Sequence, residues 1–176
     1  MKSTPQVLAA LAIVVVGTAA LQEGIIIGKT FGGPHGDEYS DYHLVTADQM
    51  VHCLTIRFAD RVDAVSLNVT DPAGKKNTFY HGGEDGDPKT HCLADNEHFT
   101  GYQAHWGKYY RKTRLLYVEF TTDKGETISG GTSTDDSGSK GKDTAPSGYQ
   151  LGGFVGYSGN ELDSMGAIWT RIKPVV

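Results

Sequence analysis

Apolar residues in this chain come in short runs at the two-residue period of a strand rather than the period of a helix. The stretches IIIG (25–28), MVHCLTIRF (50–58), VDAVSLNVT (62–70), RLLYVEFTT (114–122), YQLGGFVGY (149–157) and MGAIWTRI (165–172) are rich in β-branched and aromatic residues. That composition fits a pleated, half-buried surface. After residue 24 no window keeps apolar residues at i, i+3, i+4 and i+7 for three turns, so helices are not predicted. Turn chemistry separates the runs: DPAGKKN (71–77), HGGEDGDP (81–88), TDKGE (122–126) and SGN (158–160). Many short strands punctuated by 23 glycines predict an all-β domain, built as a sandwich, a barrel or a prism. Residues 130–148, GGTSTDDSGSKGKDTAPSG, are poor in apolar side chains and read as a long mobile surface loop.

The first twenty residues stand apart from this pattern. Lys2 gives a positive start, Val7 to Val16 is an unbroken apolar run, and Gly17-Thr18-Ala19-Ala20 supplies small residues. This is the layout of a secretory signal peptide, and the run is too short to span a bilayer. Residues 1–20 are therefore expected to be removed, leaving residues 21–176 as a single secreted, extracellular domain with no membrane span. Without Lys2, 15 basic side chains face 21 acidic ones, a formal charge of −6. An acidic domain lacks the basic footprint of a general nucleic-acid binder. Cys53 and Cys92 are the only cysteines, and in an oxidising compartment an isolated pair is expected to form one disulfide. Asn68-Val69-Thr70 is an N-glycosylation acceptor pattern on an expected strand.

An internal repeat adds organisation. Residues 59–65, ADRVDAV, align with residues 159–165, GNELDSM, at a constant offset that puts Asp63 on Asp163 and Val62 on Leu162. Each copy precedes a strand-like run, which suggests one domain built from related sheets.

Five stretches in order, FGGPHGDEYSDY (31–42), VDAVSLNV (62–69), HGG (81–83), FTTDKG (120–125) and GGFVGYSGNELDSMGAIW (152–169), resemble the jacalin-related lectins over residues 25–173. In the first, Gly32, Gly33, Gly36, Tyr39 and Asp41 fit the family pattern, while His35 and Ser40 depart from it. The resemblance implies a β-prism of three four-stranded antiparallel sheets with pseudo-threefold symmetry. It implies carbohydrate binding without catalysis, commonly of mannose or glucose type and sometimes of galactose type, and partners that are glycans or glycoproteins. The galactose class goes with a chain cut at the position of Gly36, of which the sequence shows no sign, so the mannose or glucose class is expected. It also implies a binding loop of the form GxxxD, here Gly159, Asn160, Glu161 and Asp163, with a backbone contact from Gly36. The region of Lys108, Tyr109, Tyr110, Arg111 and Lys112 corresponds to a loop that sets specificity. Asp60, Arg61 and Asp63 form a candidate second sugar site, with Ala59 where the glycine stands in the other copy. The edges and faces of such a prism leave room for homo-oligomers.

The chemistry of GNELD fits that role. A glycine taking positive φ tightens the turn, and a carboxylate four residues on accepts strong hydrogen bonds from sugar hydroxyls. Leu162 between them would anchor the loop in the core by strand alternation. The plainer alternative is a turn aspartate that accepts only local backbone N–H bonds. Among other candidates, His91, His98 and His105 lie seven apart, which sends neighbours to opposite faces of a strand. They read as scattered surface histidines, and no metal or cofactor is expected. No carboxylate pair shows a spacing suited to glycoside hydrolysis. GKYYRKTR (107–114) gathers Lys108, Arg111, Lys112 and Arg114 around two tyrosines. It is a solvated hairpin edge or a surface for polyanionic, sulfated or phosphorylated glycans. A secreted protein-interaction module with an unused sugar loop is a further alternative.

Overall fold

The computed structural model describes residues 22–136 and 139–174, so the expected signal peptide lies outside the described residues. Among the described residues the chain forms twelve strands. They are β1 (Ile25–Gly32), β2 (Asp37–Ser40), β3 (Met50–Phe58), β4 (Val62–Thr70), β5 (Lys76–Gly82) and β6 (Asp87–Cys92). β7 (Phe99–Tyr109), β8 (Lys112–Thr122), β9 (Thr127–Gly131), β10 (Lys140–Thr144), β11 (Tyr149–Ser158) and β12 (Leu162–Arg171) follow. They make three four-stranded sheets, ordered β5-β4-β3-β6, β10-β7-β8-β9 and β1-β12-β11-β2, with every pairing antiparallel.

The three sheets share one connectivity. A long central hairpin is followed by a strand that adds beside its second arm and another that returns to its first. β5 and β6 do this for the β3–β4 hairpin, and β9 and β10 do it for β7–β8. Among the described residues no strand follows the β11–β12 hairpin, and β1 and β2 from the N-terminal part take those two places. The prism with pseudo-threefold symmetry expected from the family resemblance is the fold observed.

The core lies between the inner faces. Phe120 is fully buried and its ring lies within 6.4 Å of Phe99, 6.0 Å of Tyr102 and 6.2 Å of Phe154. Leu54, Ile56, Val65 and Leu67 close it from a second sheet, and Leu151, Ile168 and Trp169 from the third. Polar groups bridge the seams. Asp41, almost wholly buried, accepts from Phe154 N at 2.9 Å and holds His81 Nε2 at 2.9 Å. Asp143 accepts from Lys29 N at 2.9 Å and Trp169 Nε1 at 3.1 Å. Burial raises the Tyr39 and Tyr102 hydroxyl pKa values above the ordinary tyrosine value, so both stay protonated donors, and Tyr102 donates to the Lys29 and Met165 carbonyls.

Two expectations from the sequence change here. The segment 130–148 is not one loop: Lys140–Thr144 is β10, laddered to β7 from Lys140↔His105 to Thr144↔Gly101. It is an edge strand whose anchor is the carboxylate of Asp143 rather than apolar alternation, so hydropathy does not reveal it. The histidines are also not uniformly at the surface. His105 is buried, accepts from Thr134 N at 3.2 Å through Nδ1, and has its pKa lowered by that burial and then by Lys140.

The expected disulfide is present: Cys53 and Cys92 are register partners on β3 and β6, bonded with Cα atoms 4.0 Å apart. It closes a 39-residue separation, so replacing both cysteines with serine is expected to lower unfolding free energy by about 2–4 kcal/mol. Urea unfolding of the folded variant against the parent measures it; an unchanged midpoint would show that the ladder alone fixes β6.

Candidate functional site

The turns of β3–β4, β7–β8 and β11–β12 meet at one end of the prism. Two of them are built alike. In one, Ala59 N donates to Arg61 O at 3.1 Å; in the other, Gly159 N donates to Glu161 O at 3.0 Å. Both hairpins carry a register shift at this point, with Phe58 opposite Val62 and Ser158 opposite Leu162. Val62 and Leu162 are fully buried, as alternation requires of the anchor in each loop. The repeat seen in the sequence is thus a repeat of structure.

A second repeat completes each copy. Gly33 N donates to Asp163 O at 2.9 Å, and Gly83 N donates to Asp63 O at 3.0 Å. Gly36 and Gly86 both adopt left-handed backbone, φ 75° and 73°. A Cβ on Gly36 would lie 2.9 Å from Asp163 Oδ2, and one on Gly86 would lie 2.5 Å from Asp63 Oδ2. Each carboxylate is therefore cradled by a glycine that only glycine fits. Gly82, Gly83 and Gly86 were not assigned to a site from the sequence, yet the signal is there: FGGPHGD (31–37) and HGGEDGD (81–87) share both glycine steps and the aspartate.

The structure brings Gly36, Glu161 and Asp163 together, and Gly159 and Asn160 form the exposed crest beside them. Two details differ from expectation. Gly159 is not among the positive-φ glycines; a Cβ on it would meet nothing within 4 Å, and Ala59 occupies the equivalent place. Its part is to leave open space, not to tighten the turn. Asp163 is not an exposed loop carboxylate: its side chain is fully buried. Arg114 Nη1 pairs with its Oδ1, while Oδ2 has no hydrogen-bond partner among the described residues.

Arg114 belongs to a four-member cluster. Its Nε lies 3.2 Å from Glu161 Oε2. Arg61 reaches the same carboxylate from the β3–β4 turn, Nε to Oε2 at 2.5 Å and Nη2 to Oε1 at 2.8 Å. The Arg61 guanidinium also lies 4.3 Å from the centroid of the Tyr109 ring, a cation–π contact. Glu161 is therefore neutralised by two guanidinium groups from two other hairpins, which answers how a second carboxylate sits so close to Asp163.

The basic stretch is the β7–β8 turn. Tyr109 pairs with Lys112, leaving Tyr110 and Arg111 as a two-residue loop, both with positive φ (44° and 70°). Such turns ordinarily use Asn-Gly or Asp-Gly; bulky residues held there cost about 1–3 kcal/mol each, and such strain clusters at functional sites. Tyr110 is 86% exposed, and Lys108, Arg111 and Lys112 are exposed around it. Asp63, in the second copy, is 2% exposed. Burial raises its carboxyl pKa, with Arg61 opposing and Glu161 and Asp85 adding to the rise. Asn68 faces out of β4, its Nδ2 donating to Thr78 Oγ1 at 2.8 Å.

A family model, the jacalin-like lectin domain, matches residues 28–168. A curated relative, secreted RxLR effector protein 19 of Plasmopara viticola, is 29% identical over 143 residues, 78% of this chain and 77% of its own length. Among solved structures, Malaysian banana lectin superposes with a TM-score of 0.70 at 24% identity, covering 84% of this chain and 99% of the lectin. A mannose-binding jacalin-related lectin from Ananas comosus superposes with a TM-score of 0.71 at 18% identity, covering 85% and 99%. The Calystegia sepium lectin, solved with a biantennary N-glycan, gives 0.66 at 20% identity, covering 83% and 96%.

Two outcomes follow from these electrostatics. Arg114→Ala strands a buried carboxylate and is expected to destabilise by about 3–5 kcal/mol, while Arg114→Gln with Asp163→Asn, which removes both charges, costs clearly less. Denaturant unfolding of the single and double variants measures the difference. Asp63 behaves in the opposite sense, because its folded pKa is raised: the ionised form burdens the fold above that pKa, and the burden is relieved as pH falls through it. Asp63→Asn is thus expected to stabilise at pH 7 and to have no advantage below the ordinary carboxylate range. Unfolding curves at pH 7 and pH 3 check it.

Proposed function

The chain belongs to the jacalin-like lectin family, and we propose that it is a secreted, non-catalytic carbohydrate-binding protein of mannose or glucose type whose site is the GNELD hairpin. The observation that carries the reading is Asp163 itself. Its Oδ2 has no hydrogen-bond partner among the described residues, it lies against the left-handed Gly36, and the space over Gly159 is open. A buried acceptor without a donor is costly, and a sugar hydroxyl is the donor this place suits. Asn160 and Glu161 take part through their backbone, and Tyr109 and Tyr110 offer ring faces at the edge.

Secretion is supported by the pattern of residues 1–20, by the disulfide, and by the relative described as a secreted effector. The mannose or glucose type is supported by the mannose-binding lectin and the N-glycan complex among the proteins of similar fold. The matched cradle of Gly86 and Asp63 supports a second sugar site at Asp60, Arg61 and Asp63. Asn68 is proposed as a glycosylation acceptor because its side chain stands at the surface of the sheet.

Asp163→Asn keeps the shape of the side chain but turns one acceptor into a donor. Affinity for a mannose oligosaccharide is expected to fall about ten- to a hundredfold, the loss of a hydrogen bond to a charged group. Asn160→Ala changes it little. Calorimetry on variants shown to be folded decides the matter, and unchanged binding by Asp163→Asn places the sugar elsewhere.

A further inference from the structure

The carboxylate best placed to bind a sugar is already bound to an arginine. Asp163 has no exposed surface, its Oδ1 is held by Arg114 Nη1, and Arg114 Nε also reaches Glu161. Oδ1 of Asp163 can take a ligand hydroxyl only if the guanidinium moves aside, while Oδ2 has no hydrogen-bond partner among the described residues. A neutral sugar gives the displaced guanidinium nothing in return, because hydroxyls carry no counter-charge and breaking a half-buried ion pair is unfavourable. A sugar that brings its own oxyanion changes the balance. The planar fork of Arg114 can turn to donate two hydrogen bonds to a carboxylate or sulfate, while hydroxyls of the same sugar donate to the freed Oδ1 and to Oδ2 of Asp163.

The surroundings favour that exchange at this station and not at its counterpart. Arg61 stays on Glu161 through two contacts, so the cluster without Arg114 is not left with two bare carboxylates. Lys108, Arg111 and Lys112 are exposed on the β7–β8 turn, whose Tyr109 lies against Arg61, and supply positive potential that draws an anion in. Around Asp63, by contrast, Glu161 and Asp85 oppose ionisation and Arg61 favours it, but Arg61 is itself held on Glu161. Arg57, a further cation beside that loop, is spent on the carbonyls of Glu84, Asp85 and Gly86.

We propose that Arg114 is the specificity-determining residue of the Asp163 site and that it selects glycans carrying an oxyanion, a uronate carboxylate or a sulfate, on the sugar seated there. The inference rests on Asp163 being the sugar station and adds the class of sugar. It assigns the selection to one half-buried arginine rather than to the exposed basic turn as a whole.

The test is calorimetry of the purified protein with three probes: a glucuronate-containing oligosaccharide, its neutral glucose counterpart, and the same neutral oligosaccharide bearing a sulfate. The parent is expected to bind at least one charged probe about tenfold or more tightly than the neutral one, and which charged probe wins identifies the source of the oxyanion. Arg114→Gln is expected to lower charged-probe affinity about thirtyfold, in the range for a lost charge-assisted hydrogen bond, and to leave the neutral probe unchanged or tighter. Arg114→Lys, which keeps the charge but not the fork, falls between. The Arg114→Gln, Asp163→Asn double variant, paired with Asp163→Asn alone, gives the same comparison should the single variant fail to fold. A parent that binds the neutral probe as tightly as both charged ones overturns the proposal while leaving Asp163 as a sugar site. So does a charge preference that survives Arg114→Gln, which would belong to Lys108, Arg111 and Lys112. Binding of all probes untouched by Asp163→Asn overturns the site and the proposal together.

Discussion

Two carboxylates, Glu161 and Asp163, are taken out of water at the tip of a single hairpin, and that end of the molecule is organised by the need to compensate them. A buried ion without a partner costs several kcal/mol. The compensating charges come from elsewhere in the chain, Arg61 from the β3–β4 turn and Arg114 from β8. Glu161 is the pivot because it forms ion pairs with both. As a result three hairpins, one from each sheet, are fixed relative to one another by charge as well as by packing, and the position of each turn becomes a condition on the other two. The cation–π contact of Arg61 with Tyr109 extends the tie to the β7–β8 tip, the most exposed and most strained part of the cluster.

The rest of the prism treats its polar groups in the same manner, with ties across the seams. His81 and Asp41 join β5 to the segment after β2, with the imidazole stacked on Tyr39 at 4.0 Å. Asp143 joins β10 to β1 and β12. The free energy of assembly comes from the apolar core around Phe120, since burial is roughly proportional to area and has no direction. The ties add direction. They fix which sheet meets which: the ladder holds KGKDT on the β7 edge, and Asp143 ties that edge to β1 and β12.

The all-β class, the strands β3 and β4 to the residue, and the GNELD hairpin were legible in the sequence because each depends on local pattern. The family resemblance supplied the three-sheet arrangement, which periodicity alone left open among sandwich, barrel and prism. Strand β7 escaped because its turn breaks the usual chemistry: Tyr110 and Arg111 take φ values that glycine or asparagine normally provides, so no punctuation marks the hairpin. Strand β10 escaped because its place is set by ladder bonds and one carboxylate. The burial of Asp163 was not legible at all. It depends on Arg114, forty-nine positions earlier on another sheet, and nothing in GxxxD announces such a partner. Asp163 in isolation reads as exposed, as most loop aspartates are.

The two aspartate stations show how one backbone plan yields different chemistry. Asp63 and Asp163 share the hairpin loop, the glycine carbonyl clip and the left-handed glycine against Oδ2. They differ in the guanidinium. Asp163 holds Arg114 directly, whereas Arg61, the arginine that acts on Asp63, pairs with Glu161 and donates to it through Nη2. Desolvation therefore prevails at Asp63 and raises its carboxyl pKa, biasing it toward the neutral form that donates as well as accepts. At the other station the carboxylate has a partner that must be displaced or shared. Since the cradle is the same, the difference in what each site can hold lies in a few side chains at the hairpin tips, residues that can change without disturbing the core behind Val62 and Leu162.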